Sequence, residues 1–369
     1  AKNIIKLTDE YETWLAQETD LVPADLTEKH RLMGTSASVF LRGTAYRWAQ
    51  RWPELCPDLV DAPQLLAVGD LHAENFGTWS DGDSRFVWGI NDLDEATTLP
   101  YTNDLVRLLT SIVLAVHAGH LSLDTDVAAD AIVEGYGQSL ADGGRPFVVG
   151  EHHRWLWEFV QHRLKDPPSF WNELAALPVA DDVEPTMAEA LAASLPQAGP
   201  PHRLVRRTAG VGSLGRRRVV ALSNWRGGYV AREAKAIVPS AWRWVAGTPG
   251  DVTAHAWEIE RCNDQAVRSP DPTYRAAGAW LVRRLAPDAV RIELAGLPRP
   301  QDERVFVRAM GSETANLHLA TPSQTQAVVN DLAARPHHWL RKAAEVMAKD
   351  TVADWETWKA RKLSPKSAS

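Results

Sequence analysis

The chain changes rhythm near its middle. Before Pro201 its apolar positions recur mostly at helical spacing, and after it several short β-prone runs follow. Residues 3–15 read as a polar helix and 25–31 as a second short one. Residues 38–52 carry Val39, Leu41, Tyr46 and Trp48 at helical intervals, and Pro53 and Pro57 are expected to end that helix. Two apolar runs follow, 65–68 and 86–90, each closing on a cluster of acids and amides. Between them lies the turn signal Ser80-Asp81-Gly82-Asp83-Ser84. The expected local structure is strand, polar loop, hairpin, polar loop. After Pro100, Asn103 or Asp104 can cap an apolar helix running to about His117. Residues 125–140 and 151–164 read as further helices, and Pro167-Pro168 together with 195–201 as a linker region.

Beyond Pro201, residues 204–205, 218–222, 229–231 and 235–238 are β-prone, with 224–228 as a turn, so an antiparallel meander is expected. A helix is expected over 252–266, strands over 280–285 and 290–294, and a short strand over 305–308. Residues 323–361 read as helical with a break near Pro336, and 363–369 as a frayed end. The fold class is therefore α+β. Residues 1–200 form a mostly helical part with the polar loops, 201–300 a small antiparallel β part with one helix, and 301–369 a helical part returning to the first.

At 45% hydrophobic and 24% charged, the composition is that of an ordinary globular chain, and 369 residues allow two lobes with cores of their own. A net charge of −7 argues against bulk nucleic-acid binding and leaves room for a cationic or neutral substrate. Cys56 and Cys262 make neither a disulfide framework nor a zinc site. No signal-like apolar core occurs in residues 1–6, and the longest helical apolar run, 112–116, is too short for a bilayer. A cytoplasmic protein without membrane or nucleic-acid partners is the expectation. Many of the 16 Trp, such as Trp48, Trp52, Trp155, Trp157, Trp355 and Trp358, sit among charged residues, as on amphipathic helices packed on a core.

The chemistry concentrates in residues 68–95. The expected hairpin brings Asp70, His72, Asn75, Asp92 and Asp94 to one end of a small sheet. So many oxygens together need a cation or a substrate proton to balance them, and hard oxygen ligands suit magnesium better than zinc. Asp70 can accept a hydroxyl proton. Asn75, across a tight loop, can reach back to a metal that Asp92 holds from the other side. Those parts suit phosphoryl transfer. Asp94 and Glu95 could serve a second metal or a substrate cation. His72 either holds the loop through a backbone carbonyl or Asp70, or touches the transferred phosphate. A purely structural network of acids and amides at a hairpin end is the competing explanation.

The second constellation is Gly210-Val211-Gly212-Ser213-Leu214-Gly215. A dinucleotide fold needs a helix to begin at the third glycine, whereas a β-prone run follows here. The glycines therefore join two antiparallel strands, and such a loop can lie over phosphates. Lys235 follows on the next strand, where alternation puts Ala231, Glu233 and Lys235 on one face. It can pair with nucleotide phosphates if an acid holds it. Glu258 is preferred for that over Glu260. The basic cluster Arg206, Arg207, Arg216, Arg217 and Arg218 reads best as a solvated sheet face. His152-His153 and His337-His338 have no ligand companions nearby.

The run GDLHAENFG followed by INDLDEA resembles the catalytic and metal loops of the aminoglycoside phosphotransferase and choline kinase group of the protein-kinase-like superfamily. Gly210 to Gly215 and Lys235 look like that superfamily's glycine-rich loop and phosphate-binding lysine. The resemblance implies a bilobal kinase-like fold with Asp70 as base and Asn75 and Asp92 on magnesium. It further implies Gly210, Gly212, Ser213, Gly215 and Lys235 on the phosphates of ATP or GTP, Glu258 as the lysine's partner, and Asp104 as a structural acid. The order is permuted, because the glycine loop comes after the catalytic loop. That order, with Arg42-Gly43 upstream, is similar to a bacterial family of unknown function with the signatures GD-H--NFG, NDFDE and GVGS-G. Asp92-Leu93-Asp94 departs from the Asp-Phe-Gly of protein kinases, which favours a small-molecule hydroxyl acceptor. A metallophosphoesterase using Asp70, His72 and Asp92, and a kinase-like protein that transfers AMP or only binds nucleotide, are the alternatives.

Overall fold

Helix α1 (Ile4–Glu18) opens the chain, and its buried Ile4, Leu7, Tyr11 and Leu15 follow the helical stripe. The computed structural model describes residues 2–196, 201–292 and 300–361. Helices α2 (Pro23–Met33), α3 (Ala37–Gly43) and α4 (Ala45–Leu55) follow. The single helix expected over 38–52 is thus two, broken at Thr44, whose ψ of 45° leaves the helical region. Pro53 lies inside α4 rather than ending it, since a proline forfeits one backbone bond without having to stop the helix.

The acid-rich stretch forms nested hairpins. Strand β1 (Gln64–Ala67) pairs antiparallel with β4 (Thr97–Pro100), and inside them β2 (Phe76–Ser80) pairs with β3 (Phe86–Ile90). The acids therefore lie in the two connections between an outer and an inner ladder, not at the end of one sheet. Helix α5 (Tyr101–His117) carries no side-chain cap; Asn103 and Asp104 are buried within its first turn. Helix α6 (Thr125–Ala141) is capped by Asp124, which accepts from the Asp126 and Val127 amides. The helix expected over 151–164 is interrupted at His153 into α7 (Val149–His152) and α8 (Arg154–Val160).

No linker occupies 167–168. Pro167 and Pro168 start helix α9 (Pro167–Ala175), where a proline loses nothing because the first amides have no partner anyway, and α10 (Pro185–Ser194) follows. Then come β5 (His202–Arg206), β6 (Arg218–Trp225) and β7 (Gly228–Ala236), with helices α11 (Ala241–Val245) and α12 (Val252–Asp264) before β8 (Arg275–Ala277) and β9 (Trp280–Leu285). The five strands form one antiparallel sheet in the order β5-β6-β7-β9-β8. Met187 and Leu191 of α10 cover one face against Val219, Ala234 and Val282. Leu174 of α9 covers the other against Val220, Ala231 and Leu285. Beyond α9 that second face carries Glu233 and Lys235, directly opposite Arg283 and Arg218 respectively.

The short strand expected over 305–308 lies within helix α13 (Pro300–His318). Phe306, Val307, Met310, Thr314 and Leu317 are all buried at helical spacing there, and that burial overrides local β-propensity. Helices α14 (Thr325–Ala334) and α15 (Trp339–Ala360) complete the described chain. Arg47 and Arg51 of α4 pair with Asp354 and Asp350 of α15. Residues 363–369 lie outside the described residues, as do 293–294 of the strand expected over 290–294. Among the described residues no helix is long and apolar enough to cross a membrane.

Candidate functional site

The first acid loop is bent by Gly69, whose φ of +78° favours glycine and where a Cβ would stand 2.3 Å from the Glu95 carbonyl oxygen. Asp104 fixes the bend by accepting from the Val68 and Gly69 amides at 2.7 and 3.0 Å. It meets His318 Nε2 at 3.0 Å, whose Nδ1 lies 2.8 Å from the Tyr136 hydroxyl. This wholly buried chain sets the direction in which Asp70 leaves the bend. Asp70 Oδ1 accepts from Arg107, which also donates to the Leu41 carbonyl at 3.0 Å and lies over the Trp48 ring. Burial pushes the Asp70 carboxyl up to about 7; Arg107 opposes that, and Glu95 and Asp92 add to it. The Asn75 amide nitrogen donates to the carbonyls of Asp70 at 3.2 Å and Asp92 at 3.4 Å, tying the two acid loops together.

The second loop meets the sheet. Lys235 Nζ lies 2.5 Å from Asp94 Oδ1 and 3.7 Å from Asp92 Oδ1, and Arg216 lies 3.6 Å from Asp94 Oδ2. Burial pushes the Asp94 carboxyl up, but Lys235 and Arg216 outweigh it and hold the group well below the usual carboxylate range. The acid that holds Lys235 is therefore Asp94, not Glu258. Glu258 faces elsewhere: it accepts from Arg243 at 3.0 Å and lies 3.4 Å from His255 Nδ1. Glu95 is held by the start of α11, where its Oε2 accepts from the Ala241 amide at 2.6 Å and the Ser240 hydroxyl at 2.8 Å.

The glycine loop joins β5 to β6, with Gly210 and Gly215 at φ of +76° and +100°. Gly212 sits against the first acid loop: a Cβ there would be 3.2 Å from the Arg42 carbonyl and 3.9 Å from Asp70 Oδ2. Two contacts from α2 and the residue before it seat the glycine loop. Lys29 Nζ donates to the Gly212 carbonyl at 3.2 Å, and the Val22 amide to that of Gly215 at 2.8 Å. Burial lowers the Lys29 amine to about 8.

The basic cluster is not a solvated face. Arg216 and Arg218 are buried, and only Arg206 of the five is exposed. Arg207, Arg218 and Arg283 converge on the wholly buried Glu233, with Arg218 at 2.5 Å and Arg283 at 3.0 Å from Oε1. Burial raises the Glu233 carboxyl, but these guanidiniums outweigh it and hold it well below the usual range. Arg218 also donates to Ser213 Oγ at 2.7 Å, coupling the sheet face to the glycine loop.

Two cavities meet here. The smaller, about 30 Å³, is lined by Tyr11, Lys29, Arg42, Asp70, Glu95 and Arg216 among others. The larger, about 380 Å³, has nine Arg or Lys on its walls against Glu74, Asp92 and Asp271. Asn75, Asp92 and Ser213 line both. The wall charge is thus opposite in sign to the net charge of the chain. His72 lines neither cavity, and among the described residues its buried Nδ1 has no partner, so it bonds neither Asp70 nor a carbonyl through that atom. Burial and the nearby Arg42, Arg107 and Arg291 hold it well below the usual histidine range, and it stays neutral.

Among the described residues no three His, Cys, Asp or Glu side chains converge to hold a metal ion. Asp94 is taken by Lys235 and Arg216. Asn75 and Asp92 remain as oxygen donors where the two cavities meet. One carboxylate and one amide, completed by phosphate oxygens and water, is a set magnesium accepts.

Residues 21–147 match the model of a protein family. It is described as an uncharacterized protein conserved in bacteria, DUF2252. The DUF2252 stretch contains Lys29, Arg42, both acid loops, Asp104 and Arg107; the glycine loop, Glu233 and Lys235 lie beyond it. No curated protein matches the chain, and no solved structure does.

Sequence reasoning missed Lys29, Arg107 and the role of Glu233. For Arg107 a signal existed: it is a lone cation inside an apolar helical run, which demands a buried partner. For Glu233 it was the shared strand face with Lys235. Lys29 left none in its local pattern.

Proposed function

We propose that this protein is a magnesium-dependent phosphotransferase that moves the γ-phosphate of ATP or GTP to a hydroxyl of a small-molecule acceptor, in a permuted kinase-like arrangement. The observation that carries the reading is the meeting of Lys235 with Asp94 and Asp92 across a cleft bordered by Asn75 and the glycine loop, with Asp70 on the smaller cavity that adjoins it. Segments far apart in sequence supply a base to one cavity and a cationic phosphate cradle to the other, with the two oxygen donors Asn75 and Asp92 where they meet.

In this reading Asp70 takes the acceptor's hydroxyl proton. Arg107 occupies its Oδ1 and so presents Oδ2 to the acceptor. A carboxyl poised at about 7 is a competent base near neutrality. Lys235 and the glycine loop bind the phosphates, and Gly212 packs against Asp70. Asn75 and Asp92 would hold magnesium, which neutralises charge on the transferring phosphate. His72 and Glu258 take no part in the chemistry.

ATP labelled at the γ- or the α-phosphate, incubated with the protein, magnesium and pools of hydroxyl compounds, tests the reaction. Transfer of the γ-label that disappears in Asp70→Asn supports it. Transfer of the α-label would replace it with AMP transfer.

A further inference from the structure

We infer that the cleft contains a second oxyanion station, built on Glu233 and distinct from Lys235, that takes a phosphate group. Three guanidiniums, of Arg207, Arg218 and Arg283, meet one carboxylate there. A single carboxylate cannot neutralise three cations, and although Asp92 also acts on Arg283 the cluster keeps a net positive charge on the wall of the 380 Å³ cavity. Lys235 is already matched by Asp94, so the surplus belongs to the arginines. Like charges held together beside a buried acid repel one another unless an anion joins them. Guanidinium forks from several directions suit the several oxygens of a phosphate better than the two of a carboxylate.

Placement is fixed by the ladders rather than by flexible loops. Glu233 stands opposite Arg283 on β9, and Lys235 stands opposite Arg218 on β6. Two positions along one strand face are about 7 Å apart. Arg218 bridges them and ties the station to the glycine loop through Ser213. The cleft thus offers phosphate contacts at two points along β7. The station does not depend on any phosphotransfer activity.

The test uses the full chain and inorganic pyrophosphate, titrated by calorimetry without nucleotide or metal. Wild-type protein is expected to bind it saturably, and Arg207→Gln and Arg283→Gln each to weaken binding tenfold or more. Both side chains are about a quarter exposed, 29% and 27%, so their loss should leave the fold intact. Should either variant fail to fold, the lysine variant at that position is expected to fold and to bind pyrophosphate more weakly than wild type. No binding by wild-type protein, or unchanged affinity in the folded variants, overturns the station. ATP titrated into the same variants identifies the source of the phosphate. A parallel loss assigns it to the nucleotide, and unaltered ATP affinity to a phosphorylated second substrate. Pyrophosphate binding with no turnover of any nucleotide would keep the station and reject the phosphotransferase.

Discussion

The amine of Lys235 and the carboxylate of Asp94 stand 2.5 Å apart although 141 positions separate them (235 − 94), joining the small sheet to the second acid loop. Removing the amine leaves Asp94 with Arg216 at 3.6 Å and takes a cation from the proposed phosphate cradle. Lys235→Met is expected to weaken nucleotide binding roughly 10- to 100-fold, the scale of a charged hydrogen bond. Calorimetry with ATP checks it, and unchanged affinity would remove Lys235 from the cradle.

Glu258→Gln separates the two candidate partners of that lysine. Because Glu258 is engaged by Arg243 and His255, nucleotide affinity should stay within twofold of wild type. Thermal stability should fall modestly, since Arg243 loses its ionic partner. A drop in nucleotide affinity like that of Lys235→Met would reinstate Glu258.

The wholly buried Arg107 pairs with the partly exposed Asp70. Arg107→Met strands the carboxylate and is expected to cost about 3–5 kcal/mol of stability. It also removes the cation that opposes the upward shift of Asp70. In wild type, turnover should climb as pH rises through about 7, where Asp70 gives up its proton, and then level off. In a folded Arg107→Met protein that midpoint should move higher. A pH–rate profile flat between 5 and 9 would discard Asp70 as base.

Lys29 makes a separate statement about pH. Its folded value, about 8, lies below that of an unfolded lysine near 10.5. Between those values the unfolded chain binds the extra proton, so folding stability contributed by this group rises with pH and is level below about 8. Denaturant titrations at pH 7.5 and 9.5 should show that rise in wild type and lack it in Lys29→Met. Equal pH responses in the two proteins would contradict the buried placement.

Gly69→Ala tests the bend. A positive φ and a carbonyl 2.3 Å from the new Cβ together should cost at least about 2 kcal/mol. A melting temperature equal to wild type would show that the bend can relax.

The features legible in the sequence were those with a local signature. The acid loops, the strand-to-strand setting of the glycines and the β7 face all follow from turn residues and alternation. Pro167 and Pro168 misled because the same residue type marks a helix start as readily as a linker. Residues 305–308 misled because Val, Phe and Val favour strands, while the buried spacing of Phe306, Met310 and Leu317 decides for a helix. The pairing of Lys235 was misassigned for a different reason. Its partner arrives from another part of the chain, and distance along the sequence carries no information about which acid will face it.

The nested arrangement of β1 with β4 around β2 with β3 has a consequence for where this chain tolerates insertions. Each acid loop is fastened to a ladder at both ends, so one added residue in 68–75 or 91–96 either buckles the loop or slips a ladder and turns its side chains to the opposite side. Among the described residues the tip at Gly82 has no neighbour within 4 Å of an added Cβ, and lengthening there leaves both acid loops in place while it rebuilds the turn in which Asp81 accepts from the Asp83 and Arg85 amides.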